Sequence, residues 1–524
     1  MKGFQPTRYD EVPYLAAAHS FTHPEVLATT AMLRGLDPPP LEGGRVLELG
    51  CARGANLIPM ALLLPRTTFV GVDRSELQID EGRRRALAAG LTNLEFRTVD
   101  LLAVDSSLGL FDYVIAHGVF SWVEHEVQEK VLEIASRNLS PSGIAYVSYN
   151  TFPGWHVSTM FRDMMLYHVR DVGDPATRAA KARAFIQFLA ESARPKESLW
   201  ALLLKGESAY IGDMPDWYLL HDDLEDENHP VYFFQIVERA AAHGLQYLAE
   251  ERELQSSEIF PERVWRTIDG YGLDRIGREQ HADFLRNTRF RRSLFCHAGL
   301  PLAGAPALDS LRRCRYRAHV RQGAPLEDPD SPGASVFVLE DGRKVKTNDP
   351  RLVAVLGALC SAWPRALAFG DLEAAVGAAI GDQRTEGMPD VAALTTQALF
   401  QAMMAQLVSL HLTDPPIAAS PGERPLATPY ARLQAAAGEN ATNLLLRDVE
   451  LSLLDRLVLA RLDGQTDRAG LASQILPLLE PEIPASPDAA RLGAAEVIEP
   501  PQRPLPEQIE ETLRKLAAEC CLLA

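Results

Sequence analysis

Cysteine is scarce in this chain: Cys51, Cys296, Cys314, Cys360, Cys520 and Cys521 are the only six in 524 residues. None stands in a C-x-x-C pair, so neither a structural zinc site nor a disulfide framework is expected, and no metal is assigned. Positive charge is in deficit, with 52 Lys and Arg against 70 Asp and Glu, a net charge of −18. A dedicated nucleic-acid binder needs a basic surface, so that class is set aside. A basic protein partner suits the balance better, although solubility alone accounts for it as well. Long apolar runs are missing. The first twenty residues carry Asp10, Glu11 and Pro13 and lack the apolar stretch of a signal peptide. The most apolar region, Leu352 to Phe369, is broken by Trp363-Pro364-Arg365. It is too short to span a bilayer and reads as a buried helix. No membrane insertion and a cytoplasmic location are expected.

What is present is a 47% hydrophobic chain long enough for roughly three or four domains. Residues 1–40 read as a helical lead-in ending at Asp37-Pro38-Pro39-Pro40. From Arg45 short β-rich runs alternate with helical ones. RVLEL, TFVGVD, NLEFRTVD, FDYVIAHG and GIAYVSYN are strands, the last after a turn at Ser140-Pro141-Ser142-Gly143. Such alternation predicts an α/β, doubly wound, Rossmann-like sheet covered on both faces. After Asn150 the rhythm becomes helical over 155–228, an insertion. LQYLAEEREL and RFRRSLFCH then resume the sheet, which completes a core of 1–154 plus 229–300. Residues 301–416 read as a winged-helix-like helix-plus-hairpin domain, with Asp341-Gly342 as a two-residue turn in SVFVLEDGRKVKT. Residues 425–524 read as a mainly helical domain. Residues 480–506, rich in Pro, Ala and Glu, are expected to be a mobile strap. Ile509, Leu513, Leu516 and Cys520 share one face of the last helix, which should dock.

LELGCARGANL, from Leu47 to Leu57, carries the chemistry. A strand, a glycine turn and a helix make a nucleotide pocket, because glycine lets the backbone approach a ligand. A dinucleotide fingerprint wants G-x-G-x-x-G, and Gly50, Ala52 and Ala55 depart from it at two of three places. Glu48, buried before the turn, would repel a pyrophosphate and welcome an ammonium. S-adenosylmethionine has that ammonium, a positive sulfur, a ribose and an adenine. Asp73 ends the second strand, where it can accept from the ribose hydroxyls. Asp100 follows the third and can accept from the adenine amine, with Leu101 and Leu102 beside the ring. Singly, each carboxylate reads as a cap or a loop residue; in this order they meet at the crevice above the strand ends. The cofactor set is therefore Glu48, Gly50, Cys51, Gly54, Asn56, Asp73, Arg74, Asp100, Leu101 and His117.

The stretch resembles the first motif of class I methyltransferases, and VDRS and VDLL resemble the second and third. A wider set of phrases is similar to the rickettsial-type protein lysine methyltransferases, which carry a methyltransferase regulatory domain: YDEVPY, THPEVLAT, AHGVFSWV, YNTFPGWH, HDDLEDENHPVYFFQ, GLQYLAE and DFLRNTRFRRSLFC, extended by RPLATPYARLQA and ARLDGQTDRAGL. Ala52 stands where that family usually has a second glycine. The resemblance implies a lysine-bearing protein substrate, an outer-membrane protein among the candidates. It also implies Tyr9 and Tyr14 as a lid over the cofactor and a homodimer through the inserted helices. The same sheet would equally serve a small-molecule N- or O-methyltransferase or a SAM-binding protein without activity.

For a lysine acceptor the task is to keep the amine neutral, since only about one in a thousand is neutral near pH 7.4. Tyr149 and Asn150 are candidates to hold it by hydrogen bonds. Trp122 and Trp155 could wall it, and His117 stands where a catalytic group belongs; Phe120 and Ser121 flank the same site. Trp155 equally fits an anchor for the Pro153-Gly154 turn, and His117 a backbone hydrogen bond. His19 and His23 read as packing or caps, and the acidic run Asp222, Asp223, Glu225, Asp226 and Glu227 as a solvated face. The carboxyl-terminal half has no cofactor motif of its own. It is expected to be a substrate platform on which cofactor affinity does not depend.

Overall fold

A computed structural model describes residues 17–251, 260–324, 334–381, 388–479 and 503–524. Tyr9 and Tyr14, and nearly all of the expected strap, lie outside them. Seven strands form one sheet in the order β3-β2-β1-β4-β5-β7-β6. They are β1 Arg45–Leu49, β2 Thr68–Asp73, β3 Leu94–Thr98, β4 Phe111–Ala116, β5 Leu139–Asn150, β6 Leu245–Glu250 and β7 Phe290–His297. The first five run parallel, and β7 lies antiparallel between β5 and β6. Both faces are covered, which is why these strands read as nearly unbroken apolar runs. Side chains still alternate. Val46, Phe69, Phe96 and Tyr146 face one core, with α1 (Pro24–Leu33), α2 (Leu57–Leu63) and α3 (Glu76–Ala88). Leu47, Leu49, Val72, Val147 and Tyr149 face the other, with α4 (His125–Arg137).

Two turns differ from the sequence expectation. The Ser140–Gly143 stretch does not precede β5 but bulges within it: Phe111 pairs with Leu139, and Tyr113 next with Ile144. Ser140 Oγ donates to Asp112 Oδ1 at 2.8 Å and pins the bulge. The hairpin of β8 (Ser335–Leu339) and β9 (Lys344–Thr347) turns through three residues, because the Leu339 amide donates to the Arg343 carbonyl at 2.9 Å. Gly342, at φ 82°, takes the left-handed place that closes such a turn.

The four inserted helices, Gly154–Val169, Pro175–Ser192, Leu199–Asp213 and Asp216–His221, share their own core around Phe161, Met165, Ile186 and Leu204. The middle region, 308–412, has another core, and Met32 and Leu33 of α1 belong to it. The last region is tied at its end by pairing of Leu426–Ala427 with Leu522–Leu523, and Ile509, Leu513 and Leu516 do pack into its core. It is not separate from the sheet domain. Tyr430 and Leu446 lie in the first core beside Phe96 and Leu57.

Arg291 of β7 is 3% exposed and meets three carboxylates. Its Nε donates to Asp283 Oδ2 at 2.8 Å, its Nη2 reaches Glu279 Oε2 at 3.2 Å, and its Nη1 lies 3.2 Å from Glu250 Oε1. This cluster locks the helix Arg275–Arg286 onto the sheet. Removing one partner of a buried ion pair leaves the others without compensation. Arg291→Met should therefore cost about 3–5 kcal/mol, read as a lowered urea midpoint. A midpoint at the parental value would show that the cluster does not hold this edge together.

Candidate functional site

β1 ends in the glycine turn. The Gly50 and Cys51 amides donate to the Val72 carbonyl at 2.8 and 3.1 Å. Gly50 and Gly54 have φ of 70° and 74°. A Cβ on Gly50 would meet Val119 Cγ2 at 2.5 Å, and one on Gly54 would meet the Phe96 ring at 2.2 Å. Ala52 is left-handed too, at φ 47°, a conformation its methyl disfavours by roughly 1–2 kcal/mol. The Asp73 carboxylate holds it there. Oδ2 accepts from the Ala52 amide and Oδ1 from the Ser75 amide, both at 2.9 Å.

Glu48 faces the first core and is 5% exposed. Its Oε1 accepts from Asn56 Nδ2 at 2.7 Å, whereas Oε2 is buried without a hydrogen-bond partner among the described residues. Burial pushes its pKa up to about 8. Asn56 carries the contact outward: its Oδ1 accepts from the His19 amide at 2.9 Å, and its Nδ2 donates to Thr22 Oγ1 at 3.0 Å. A buried acceptor in need of a cation, beside a carboxylate at the end of β2, suits a ligand with an ammonium and a diol. S-adenosylmethionine fits this donor and acceptor set.

The remaining cofactor candidates divide. Asp100 is exposed and caps a short turn, accepting from the Leu102 amide at 2.9 Å, with Leu101 half-buried beside it. Arg74 is exposed next to Asp73. The Cys51 side chain is corrected to a core residue: its thiol packs against Gly71, where a Cβ would lie 2.7 Å from Sγ.

His117, after β4, stands in a group of rings. Its centroid is 4.4 Å from His19, 5.1 Å from Phe21 and 6.3 Å from Phe290. Its Nδ1 is 3.1 Å from the Tyr146 hydroxyl. Arg292 lies over the Phe21 ring at 4.3 Å. Burial, then the neighbouring His19 and Arg292, hold the His117 pKa well below the ordinary value. Burial, with Arg292, brings His19 down to about 4. Both imidazoles are neutral near pH 7.

Tyr149 is corrected as a group that holds an amine. Strand alternation turns it to the second core, 1% exposed, with its hydroxyl 2.8 Å from Ser293 Oγ. Tyr146 takes the face that carries Glu48. Asn150 is buried; its amide donates to Ser121 Oγ at 2.8 Å and its Nδ2 to Asn228 Oδ1 at 3.1 Å. Trp155 is buried and packs edge-on against the half-buried Trp122 at 6.2 Å. Gly154 beside it admits no side chain, since a Cβ would meet the Thr288 carbonyl at 2.6 Å. Trp155 thus anchors its turn. His23 caps α1, its Nδ1 accepting from the Glu25 amide at 3.2 Å. The acidic run is a solvated face only in part: Asp226 is exposed, but Asp223 is buried, and burial raises Asp222 to about 7 and Asp223 to about 6. Phe21, Thr22, Tyr146, Phe290 and Arg292 carry no local signal of function; of the resembling phrases, THPEVLAT includes Thr22 and DFLRNTRFRRSLFC includes Phe290 and Arg292.

Family models match three parts of the chain: a methyltransferase domain over 41–180, a predicted methyltransferase regulatory domain over 215–297, and a PKMT C-terminal winged helix domain over 423–521. The winged-helix description thus falls on the stretch read from sequence as mainly helical. An uncharacterised protein of Rickettsia prowazekii is 32% identical over 480 residues, covering 89% of this chain and 85% of the relative. A second from the same organism is 38% identical over 232 residues, or 44% of this chain and 93% of that one. The structure of PKMT2 from Rickettsia typhi in complex with AdoHcy matches with a TM-score of 0.83 at 26% identity, covering 98% of this chain and 100% of that one.

The geometry sets two outcomes. Asp73→Ala should weaken S-adenosylhomocysteine binding by roughly 2–3 kcal/mol in calorimetry, and Glu48→Ala by at least as much. Near pH 7 the free protein holds Glu48 protonated, and an ammonium against it favours the ionised form. Binding should therefore release about one proton, and affinity should rise from pH 6 towards pH 8. The same raised pKa stabilises the ligand-free fold below about pH 4.5, and that stabilisation is lost as pH climbs through about 8. Binding enthalpies independent of buffer ionisation would mean that Glu48 does not meet the ammonium.

Proposed function

Because the chain belongs to the rickettsial-type protein lysine methyltransferases, and is a SAM-dependent methyltransferase, we propose that it methylates lysine side chains of a protein substrate. The family resemblance makes an outer-membrane protein the first substrate to try. The observation that supports the reading is the ring group around His117, joined to Glu48 through His19 and Asn56. When bound, S-adenosylmethionine supplies an electrophilic methyl group.

The chain's own residues prepare the amine. The Phe290 ring attracts a lysine ammonium as it arrives, and Phe290 is 43% exposed. Burial between the rings then disfavours the charged form, and the Arg292 guanidinium over Phe21 disfavours a second cation. Neutral His117, steadied by the Tyr146 hydroxyl, adds no positive charge to the group, and the amine sheds its proton to solvent as it enters. Tyr149 acts as a buttress beneath this floor, while Asn150 and Ser121 fix the loop that carries Trp122.

We propose also that the inserted helices form a homodimer contact. They expose a run of large apolar side chains, among them Tyr167, Phe188, Leu199 and Leu202. Sedimentation should report a dimer that dissociates in Leu199→Glu/Leu202→Glu, and a parent that sediments as a monomer would sink the idea.

Mass spectrometry of protein incubated with the enzyme and labelled cofactor should show single-methyl steps on lysine. His117→Ala, which opens the ring group that positions the amine, should slow that transfer by about 10²-fold while S-adenosylhomocysteine still binds. Label found only on small metabolites would move the activity to the small-molecule class.

A further inference from the structure

Glu439 lies in the carboxyl-terminal region, just after the helix Pro429–Ala436. Its carboxylate crosses to the methyltransferase domain. Arg85 of α3 grips both oxygens, with Nη1 donating to Oε2 at 2.8 Å and Nη2 to Oε1 at 2.7 Å. Arg53 Nη1 donates to the same Oε1 at 3.5 Å. Arg53 is part of the cofactor turn, between left-handed Ala52 and left-handed Gly54.

The contact has little slack. A Cβ on Gly82 of α3 would lie 3.1 Å from the Arg53 carbonyl and 3.2 Å from Phe96, so turn and helix are packed face to face. Tyr430, from the same region as Glu439, is buried beside this junction in the first core. The Arg85 pair alone would suffice to dock one domain on another. The second contact, to Arg53, reaches into the turn that must hold its shape for a ligand.

We infer that Glu439 is a positioning residue for the cofactor: through Arg53 and Arg85 the carboxyl-terminal domain holds the glycine turn in its binding form. Cofactor affinity then depends on a domain with no cofactor motif of its own. The inference rests on the pocket assigned above.

The test is calorimetry of the full-length protein with S-adenosylhomocysteine. Glu439→Gln should raise Kd about tenfold, the scale of one charge-assisted contact. At saturating cofactor kcat should stay near the parental value, so that the loss sits in KM. Glu439→Asp, which keeps the charge, should recover much of the affinity. Arg447→Ala breaks a 2.7 Å pair between the same domain and Glu340, away from the turn, and should leave Kd unchanged. If Glu439→Gln does not fold, Arg53→Met cuts only the turn end of the clamp and must show the same loss at a near-parental melting temperature. Parental Kd in Glu439→Gln or Arg53→Met, alongside a loss in Asp73→Ala, overturns the clamp. Parental Kd in all of them overturns the pocket as well.

Discussion

Burying a carboxylate is costly unless each oxygen finds a donor or a cation. Glu48 meets half of that requirement within the chain. Asn56 serves one oxygen, and Asn56 in turn needs Thr22 and the His19 amide. The segment before the sheet is thereby tied to the end of β1, and the rings of His19 and Phe21 come to rest on His117. One half-satisfied group thus links three parts of the site: the acceptor for a cation, the lead-in segment and the neutral ring group.

The same logic of buried charge recurs elsewhere with a different result. Arg291 is surrounded by carboxylates, hydrogen-bonded through Nε and Nη2 and ion-paired through Nη1, and it works as a rivet for the sheet edge. Asp222, Asp223 and Glu207 are raised by burial, with Arg289 as the partly compensating charge. Satisfied clusters make rigid scaffolding, and unsatisfied ones titrate. The site combines both: Asp73 is held by two backbone amides and fixes the turn, while Glu48 has one oxygen without a hydrogen-bond partner among the described residues.

The first four strands were legible because each is a short β-rich run soon closed by a glycine or an aspartate, and Glu48 and Asp73 because charge at the end of a buried strand stands out. Tyr149 was misjudged for want of parity: counting along β5 sends odd positions to the core away from Glu48, and Tyr146 to the near one. The acidic run looked solvated because composition alone cannot show that Arg162 and Arg289 close over it. Thr22 with Asn56, and Glu439 with Arg85, are partners separated by 34 and 354 residues. Such pairs leave no periodicity in either segment, so no local pattern can reveal them.

The Arg85–Glu439 contact also has a consequence for biogenesis. Chains emerge from the ribosome at about 5–20 residues per second, so the partner of Arg85 follows it by roughly 20–70 s. For that interval the surface later covered by Tyr430 and Leu446 is open to solvent. A nascent chain of this kind needs shelter from chaperones during translation, and one cut short by a premature stop would be a ready substrate for proteolysis.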